Sequence, residues 1–149
     1  MGIINLSPDS FFNTSADLNV TDAVKRAEKH ILEGAAMLDL GAISTRPGAR
    51  IISPEEEMDK LLPAFREIRS MSKETLISID TVHSITAHKL LDLGADMIND
   101  ISAGTYCQDM PGIIAQYNVP MIAMHMRGTP ATMQKEDYAP YMNVTAEVL

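Results

Sequence analysis

A short pattern that joins the end of a helix to the start of a strand recurs along the chain and restricts the possible folds. Residues 34–39 (GAAMLD) and 94–99 (GADMIN) share their Gly, Ala and Met, and residues 118–123 (NVPMIA) form a looser third copy. Each copy begins with Gly or Asn, which tolerate the left-handed conformation that often follows the last turn of a helix. A repeated helix-to-strand joint indicates successive βα units, with parallel strands and right-handed crossovers.

Five apolar segments are predicted to be strands, and segments with helical periodicity separate them. The strands are predicted at residues 1–6, 36–40, 75–80, 96–100 and 120–124. Capping residues mark three helix starts, at Thr21, at Ser53 before a proline, and at Asp109. Pro63 lies inside the second helix, where its missing backbone donor is expected to cause a kink.

Two α/β folds are compatible with this alternation. The chain has 149 residues, enough for one domain with a hydrophobic core. On length alone a five-stranded doubly wound sheet is favoured, because a (β/α)8 barrel usually needs about 250 residues and this chain could hold only its first five strands. Both ends fall inside a predicted element, so the sequence is expected to be a fragment of a longer protein.

The charge balance and the single cysteine limit the class of partner and the compartment. The chain has 12 Lys and Arg against 20 Asp and Glu, a formal net charge of −8, whereas a nucleic-acid backbone requires a basic surface. No apolar stretch reaches the roughly 18 residues of a membrane span, and no signal peptide is apparent. Cys107 has no second cysteine to pair with, which favours the reducing cytoplasm and a simple packing role for the thiol.

Polar residues follow the predicted strands at their carboxyl ends, where ligands bind in both kinds of fold. In the loop of residues 40–49, Arg46 offers a planar fork of donors that matches phosphate oxygens, and Thr45 adds a hydroxyl. This loop is a candidate anion site, with a surface turn and a solvated arginine as the simpler interpretation. The other polar residues at predicted strand ends are Asn5, Asp80, Asn99, Asp100, His125 and Arg127.

Asp80 and Asn99 end the third and fourth predicted strands and together describe a slot for a flat heterocycle. The Asp80 carboxylate can accept two parallel N–H bonds from the edge of a ring such as a pterin, and Asn99 can donate to and accept from the same ring. Ile101 and Met124 are candidates to pack against the ring faces. A satisfied strand-end cap is the simpler interpretation of each polar residue alone, and Met124 is expected to be ordinary core.

Five segments, taken in order, resemble the motifs of the dihydropteroate synthase family. They are residues 1–11 (MGIINLSPDSF), 44–49 (STRPGA), 78–81 (SIDT), 98–102 (INDIS) and 124–130 (MHMRGTP). The resemblance implies a (β/α)8 TIM barrel truncated here to about five strands, with residues 1–149 as a partial pterin-binding domain. It also implies a transferase, of a family that is the target of sulfonamides, that joins 6-hydroxymethyl-7,8-dihydropterin pyrophosphate to p-aminobenzoate, giving dihydropteroate and pyrophosphate.

The resemblance also assigns roles to individual residues. Asn5 is expected beside a Mg²⁺ ion, Thr45 and Arg46 at the pyrophosphate, and Asp80 and Asn99 at the pterin ring. No residue of this chain is identified as the catalytic group. The full-length protein is expected to be a homodimer, and the five strands alone are expected to be inactive because the barrel stays open.

Two departures from the family pattern leave alternatives open. Ala42 and Ile43 stand where the family usually has glycine and glutamate, and the family's later pterin-site residues lie on strands beyond this sequence. One alternative is a pterin-binding methyltransferase domain acting on methyltetrahydrofolate, which the anion loop argues against. Another is a non-catalytic pterin-binding paralogue. Asp39 aligns with Asn99 in the repeat and is expected to have a structural or supporting role.

Overall fold

The computed structural model describes residues 1–7, 19–43 and 51–125. In this part of the chain five strands alternate with four helices. The strands are β1 (Gly2–Asn5), β2 (Met37–Gly41), β3 (Leu76–Asp80), β4 (Met97–Asp100) and β5 (Met121–Ala123). The helices are α1 (Val20–Leu32), α2 (Pro54–Met71), α3 (Ser84–Asp92) and α4 (Met110–Tyr117). None of these helices combines the length and the apolar character that crossing a membrane requires.

The strand order decides between the two folds that the sequence left open. The five strands form one parallel sheet in the order β1-β2-β3-β4-β5, so each strand pairs with its neighbours in sequence. A doubly wound sheet reverses direction at a switch point and places a later strand beside an earlier one out of order. Sequential order is the arrangement of a barrel wall. The barrel truncated to five strands is therefore confirmed, and the doubly wound sheet favoured on length alone is wrong.

The hydrophobic core lies between the sheet and its helices. Alternate strand residues are completely buried on that side, among them Ile4, Leu40, Ile79 and Ile98. The helices contribute small or bulky apolar side chains that pack against them, including Ala23, Ala27, Leu61, Phe65 and Leu90. Because side chains alternate along a strand, the residues between these positions lie on the opposite face, which becomes the interior of the barrel.

The repeated joint seen in the sequence has one backbone geometry in all three copies. Gly34, Gly94 and Asn118 have φ values of 88°, 95° and 52°, in the left-handed region. The next residue donates its N–H to a helix carbonyl five positions back each time: Ala35 to His30, Ala95 to Leu90, and Val119 to Ile114. These are Schellman motifs, which bond the free carbonyls of the last helical turn and turn the chain into the next strand. The predicted helix-to-strand joint is confirmed.

The helix starts agree with the predictions only in part. Ser53 caps α2 by accepting the N–H of Glu56 at 3.2 Å, as predicted, and the helix continues through Pro63 without ending. Helix α1 begins one residue before Thr21, and Asn19 caps it by accepting the N–H of Asp22. The Asp109 side chain forms no cap on α4, because its own backbone is already helical and the carboxylate is not placed to accept.

Candidate functional site

Three of the predicted site residues stand in one row at the carboxyl ends of the strands. The register pairs Asn5 with Gly41, Gly41 with Asp80, and Asp80 with Asn99. Residues paired across parallel strands project on the same face, so the Asn5, Asp80 and Asn99 side chains share the interior face of the barrel. Thr45 and Arg46 lie outside the described residues, and their predicted roles stay predictions.

Gly41 leaves open space between Asn5 and Asp80. A Cβ atom at this position would lie 3.1 Å from both Cβ and Oδ2 of Asp80. Such contacts are tighter than ordinary packing, so any other residue at Gly41 would push the Asp80 carboxyl group aside. The glycine therefore lets the carboxyl group lie against the backbone of β2, and no side chain separates Asp80 from Asn5.

Asp80 is in an environment that disfavours its charge. Burial, followed by the nearby charges of Asp39, Glu57 and Asp100, raises the pKa of its carboxyl group to about 7. An isolated aspartate would be fully ionised at neutral pH, whereas a carboxyl group with a pKa of about 7 is only partly ionised there. A ligand edge with two N–H donors would stabilise the carboxylate and release its proton.

Asn99 is held in a fixed orientation by Asp39. Its Nδ2 donates to Oδ2 of Asp39 at 3.1 Å, although the two residues lie on β4 and β2, on either side of β3. Asp39 is paired with Ser78 one layer deeper in the barrel. Contact between side chains two strands apart is consistent with a concave face. Since one amide hydrogen is committed to Asp39, the Asn99 carbonyl oxygen and its other hydrogen remain for a ligand.

Asp39 itself is buried and only partly satisfied. Its second oxygen, Oδ1, has no hydrogen-bond partner among the described residues, and the same is true of the Ser78 hydroxyl beside it. Buried polar atoms of this kind normally have a partner or mark a functional site. The contact with Asn99 agrees with the supporting role expected for Asp39.

Asn5 is compatible with a metal ion but would supply one oxygen only. Its Oδ1 accepts the N–H of Ser7 at 2.8 Å, and an amide oxygen retains a second lone pair for a cation. Among the described residues there is no group of three or more His, Cys, Asp or Glu that could hold a metal ion. Hard oxygen ligands suit Mg²⁺, which usually takes few protein ligands and relies on substrate phosphates for the rest.

Other residues singled out in the sequence occupy different positions. Asp100 turns away from the row, and its carboxylate accepts the backbone N–H groups of Ser102 and Gly104, so it holds the loop after β4. Met124 is 41% exposed, so the expectation that it is ordinary core is wrong. Cys107 is half-buried with its Sγ 3.1 Å from the Ser84 hydroxyl.

Two further sequence features have a clear position. His125 is exposed at the end of the described chain. Ala42 and Ile43, where the resembling family usually has glycine and glutamate, are both buried. An apolar pair at these positions needs no hydrogen-bond partners inside the protein.

The sequence analysis missed a buried acidic residue, Glu57. It lies on α2 with no exposed surface and accepts a hydrogen bond from the Thr81 hydroxyl at 2.8 Å. Burial raises the pKa of its carboxyl group, while the hydroxyls of Thr86 and Thr81 and the charge of His83 act in the opposite direction. Helical spacing could have revealed it, because position 57 is four residues before Leu61, on the apolar face of the helix.

The comparison with protein families gives a class. The family described as pterin binding enzyme matches residues 1–149, and the chain belongs to this family. Its fold and the row of polar side chains at the strand ends agree with that assignment.

Individual proteins of known name show which members of the family the chain resembles. The chain is 45% identical over 150 residues to a mitochondrial folate synthesis bifunctional protein of Arabidopsis thaliana, covering 99% of this chain and 27% of the relative. It resembles the dihydropteroate synthase of Yersinia pestis in complex with a sulfonamide drug, with a TM-score of 0.88, 31% identity and coverage of 99% and 52% of the two chains. The Anaplasma phagocytophilum dihydropteroate synthase with bound 6-hydroxymethylpterin-monophosphate gives a TM-score of 0.84, 31% identity and coverage of 99% and 54%. The chain thus spans about half of these structures.

Proposed function

We propose that the full-length protein is a dihydropteroate synthase, a transferase of folate biosynthesis. The substrates would be 6-hydroxymethyl-7,8-dihydropterin pyrophosphate and p-aminobenzoate, and the products dihydropteroate and pyrophosphate. The observation that carries this proposal is the row in which Asp80 and Asn99 lie side by side with Asn5 on the interior face of the barrel. Membership of the pterin binding enzyme family and the bound pterin of the Anaplasma enzyme support it.

Asp80 and Asn99 would recognise the pterin ring. The Asp80 carboxylate would accept the amino and ring N–H donors of the pterin edge, and the negative charge would also stabilise positive charge that develops on the ring and its exocyclic carbon. Asn99, oriented by Asp39, would present its carbonyl oxygen and one N–H to the same ring. Both side chains lie at paired positions on adjacent strands.

The diphosphate would be bound by Thr45 and Arg46, and through Mg²⁺ by Asn5. Thr45 and Arg46 would bind its oxygens, and Asn5 would contribute one oxygen to Mg²⁺ while the diphosphate supplies others. The metal would supply charge neutralisation on the departing group. In the reaction the exocyclic C–O bond breaks and its electron pair leaves with pyrophosphate. The amine of p-aminobenzoate then forms the new C–N bond and loses a proton to water.

The single cysteine and the family resemblance support two further parts of the proposal. Cys107 is free and suits a reducing compartment, so we place the protein in the cytoplasm. A homodimer is proposed from the resemblance alone. Small molecules are its proposed partners, and the formal charge of −8 argues against nucleic acid.

The direct test is pyrophosphate release by the full-length protein with Mg²⁺, the pterin pyrophosphate and p-aminobenzoate. Release that depends on all three supports the proposal. Binding of the pterin without release of pyrophosphate would instead favour a non-catalytic paralogue. The buried Ala42 and Ile43, which replace the usual glycine and glutamate of the family, are the reason for testing this alternative.

Arg46→Ala separates the proposal from a methyltransferase acting on methyltetrahydrofolate. The variant should weaken the pyrophosphate substrate strongly and leave the affinity for 6-hydroxymethylpterin, which has no phosphate, nearly unchanged. Equal losses for both ligands would contradict the assigned role of Arg46.

A further inference from the structure

Behind the row of site residues lies a buried hydrogen-bond cluster that the proposed chemistry does not use. Its centre is the pair Glu57 and Thr81, which are 0% and 1% exposed. The Thr81 hydroxyl donates to Oε2 of Glu57 at 2.8 Å, and so connects the first turns of α2 to the end of β3. A neutral apolar pair would fill this space without the cost of burying a carboxyl group.

Thr81 connects this acid to both pterin-binding candidates. It directly follows Asp80 in the chain, and its backbone N–H donates to the carbonyl oxygen of Asn99 at 3.0 Å. Its hydroxyl oxygen also accepts the backbone N–H of His83 at 3.1 Å, which fixes the turn between β3 and α3. The Thr81 hydroxyl thus accepts one hydrogen bond, from His83, and donates one. Its single proton needs an acceptor, and Glu57 supplies it.

His83 extends the cluster to the segment before α2. Its Nε2 lies 2.9 Å from the carbonyl oxygen of Ile52, and because a carbonyl only accepts, the proton must be on Nε2. The Tyr106 ring packs edge-on against the imidazole with 5.5 Å between ring centres. The cluster thus ties together α2, the end of β3, the end of β4 and the chain at Ile52.

We propose that Glu57, acting through Thr81, is a positioning residue that holds Asp80 and Asn99 at the spacing that a pterin edge requires. The inference rests on the proposed function, since it concerns the site where the pterin would bind. A displacement of about 1 Å in the groups that bind a ligand weakens recognition strongly, even when the groups themselves are unchanged. The need to fix the positions of Asp80 and Asn99 would explain why a buried acid stands on the apolar face of α2.

The test compares variants that remove the Glu57–Thr81 hydrogen bond with variants that keep it, in the full-length protein. Glu57→Leu and Thr81→Val remove it. Glu57→Gln keeps an oxygen acceptor, and Thr81→Ser keeps the hydroxyl. Thr75→Val is the matched control. Thr75 lies just before the amino end of β3, and the change removes a hydroxyl that is hydrogen-bonded to Ser72. The readouts are the affinity for 6-hydroxymethylpterin by calorimetry and the melting temperature of each variant.

Glu57→Leu and Thr81→Val should each weaken pterin affinity by about tenfold, and the double variant should lose no more than the weaker-binding single variant. Glu57→Gln and Thr81→Ser should stay within about threefold of the unmodified protein, and Thr75→Val should lower the melting temperature alone. If Glu57→Leu fails to fold, the Thr81→Val and Thr81→Ser pair decides. Unchanged affinity in Thr81→Val with a lowered melting temperature would overturn the inference. An unmodified protein that binds no pterin would instead refute the proposed function.

Discussion

The charged side chains at the two ends of the sheet are arranged in opposite ways. At the amino ends of the strands, Arg69 forms an ion pair with Asp96 and donates to the carbonyl oxygen of Thr75 at 2.9 Å. Asp96 also accepts the backbone N–H of Ile77 at 2.7 Å. At the carboxyl ends, Asp39 and Asp80 lie close together, and no ion pair within the described residues includes either of them.

This contrast separates stability from binding. At the amino ends, the ion pair links the segments that join helices to strands, and its charges already have partners. A ligand would therefore gain little by binding there. At the carboxyl ends, burial and the neighbouring acids raise the pKa of Asp80, and a ligand with N–H donors can relieve these unfavourable interactions. In barrels the amino end contributes stability and the carboxyl end carries the active site, and the charges of this chain follow that division.

The largest expected effect is from Asp80→Asn at the carboxyl end. The amide would present N–H₂ where the pterin edge needs an acceptor, so we expect pterin affinity to fall by about 2–4 kcal/mol. Calorimetry on the full-length protein measures this, with Asp96→Asn as the matched acid-to-amide change at the amino end. Equal affinity in Asp80→Asn and the unmodified protein would remove Asp80 from the site.

The reciprocal change is Arg69→Ala at the amino end. It leaves the partly buried Asp96 without its cation, so we expect the free energy of unfolding to fall by about 1–3 kcal/mol, with no change in pterin affinity of the folded protein. Chemical denaturation and calorimetry give the two numbers. A loss of affinity comparable to the loss of stability would show that the two ends are not independent.

Sequence reasoning succeeded where a local signal determines the structure. The left-handed residues Gly34, Gly94 and Asn118 are visible in the sequence because few residues tolerate that conformation, and they place the strands that bring Asp80 and Asn99 into one row. The strand count was correct for the same reason. The strand order does not follow from a local pattern, because such a pattern does not tell which strands pair; the three-dimensional structure or a family resemblance is needed.

The failures involve partners that are distant in sequence. Helical spacing places Glu57 on the apolar face of α2, but its hydrogen-bond partner Thr81 lies 24 residues away, and no local pattern identifies that partner. The contact of Asn99 with Asp39 spans 60 residues and crosses a strand, so no spacing rule predicts it. Thr21 is predicted to cap α1, whereas the cap in the structure is Asn19; both are good capping residues, and only the backbone conformation decides between them.

The acidic end should also give a pH dependence that the amino end lacks. Because the pKa of Asp80 is raised to about 7, the folded protein binds more protons than the unfolded chain between about pH 4 and pH 7. Its contribution to stability is therefore greatest below that range and is lost as the pH rises through it. A pterin that needs the carboxylate should bind about tenfold more weakly at pH 6 than at pH 8, with release of a proton that calorimetry in two buffers can count. In Asp80→Asn this proton release should be absent.

The smallest expected effect is from Asp39→Asn, which removes one charge near Asp80 and keeps an oxygen that can accept from Asn99. The charge of Asp39 is second after burial among the causes that raise the pKa of Asp80, so its removal should lower that pKa and move the binding profile to more acidic pH. At pH 7 we expect a gain in affinity of about twofold at most, because a pKa of about 7 leaves about half of the Asp80 carboxyl groups ionised there. At pH 6 the gain should be larger, and Asp96→Asn at the amino end should leave the profile where it is. A profile that does not move in Asp39→Asn would show that the charge of Asp39 does not raise the pKa of Asp80, and the contrast between the two ends would lose its unpaired charge on β2.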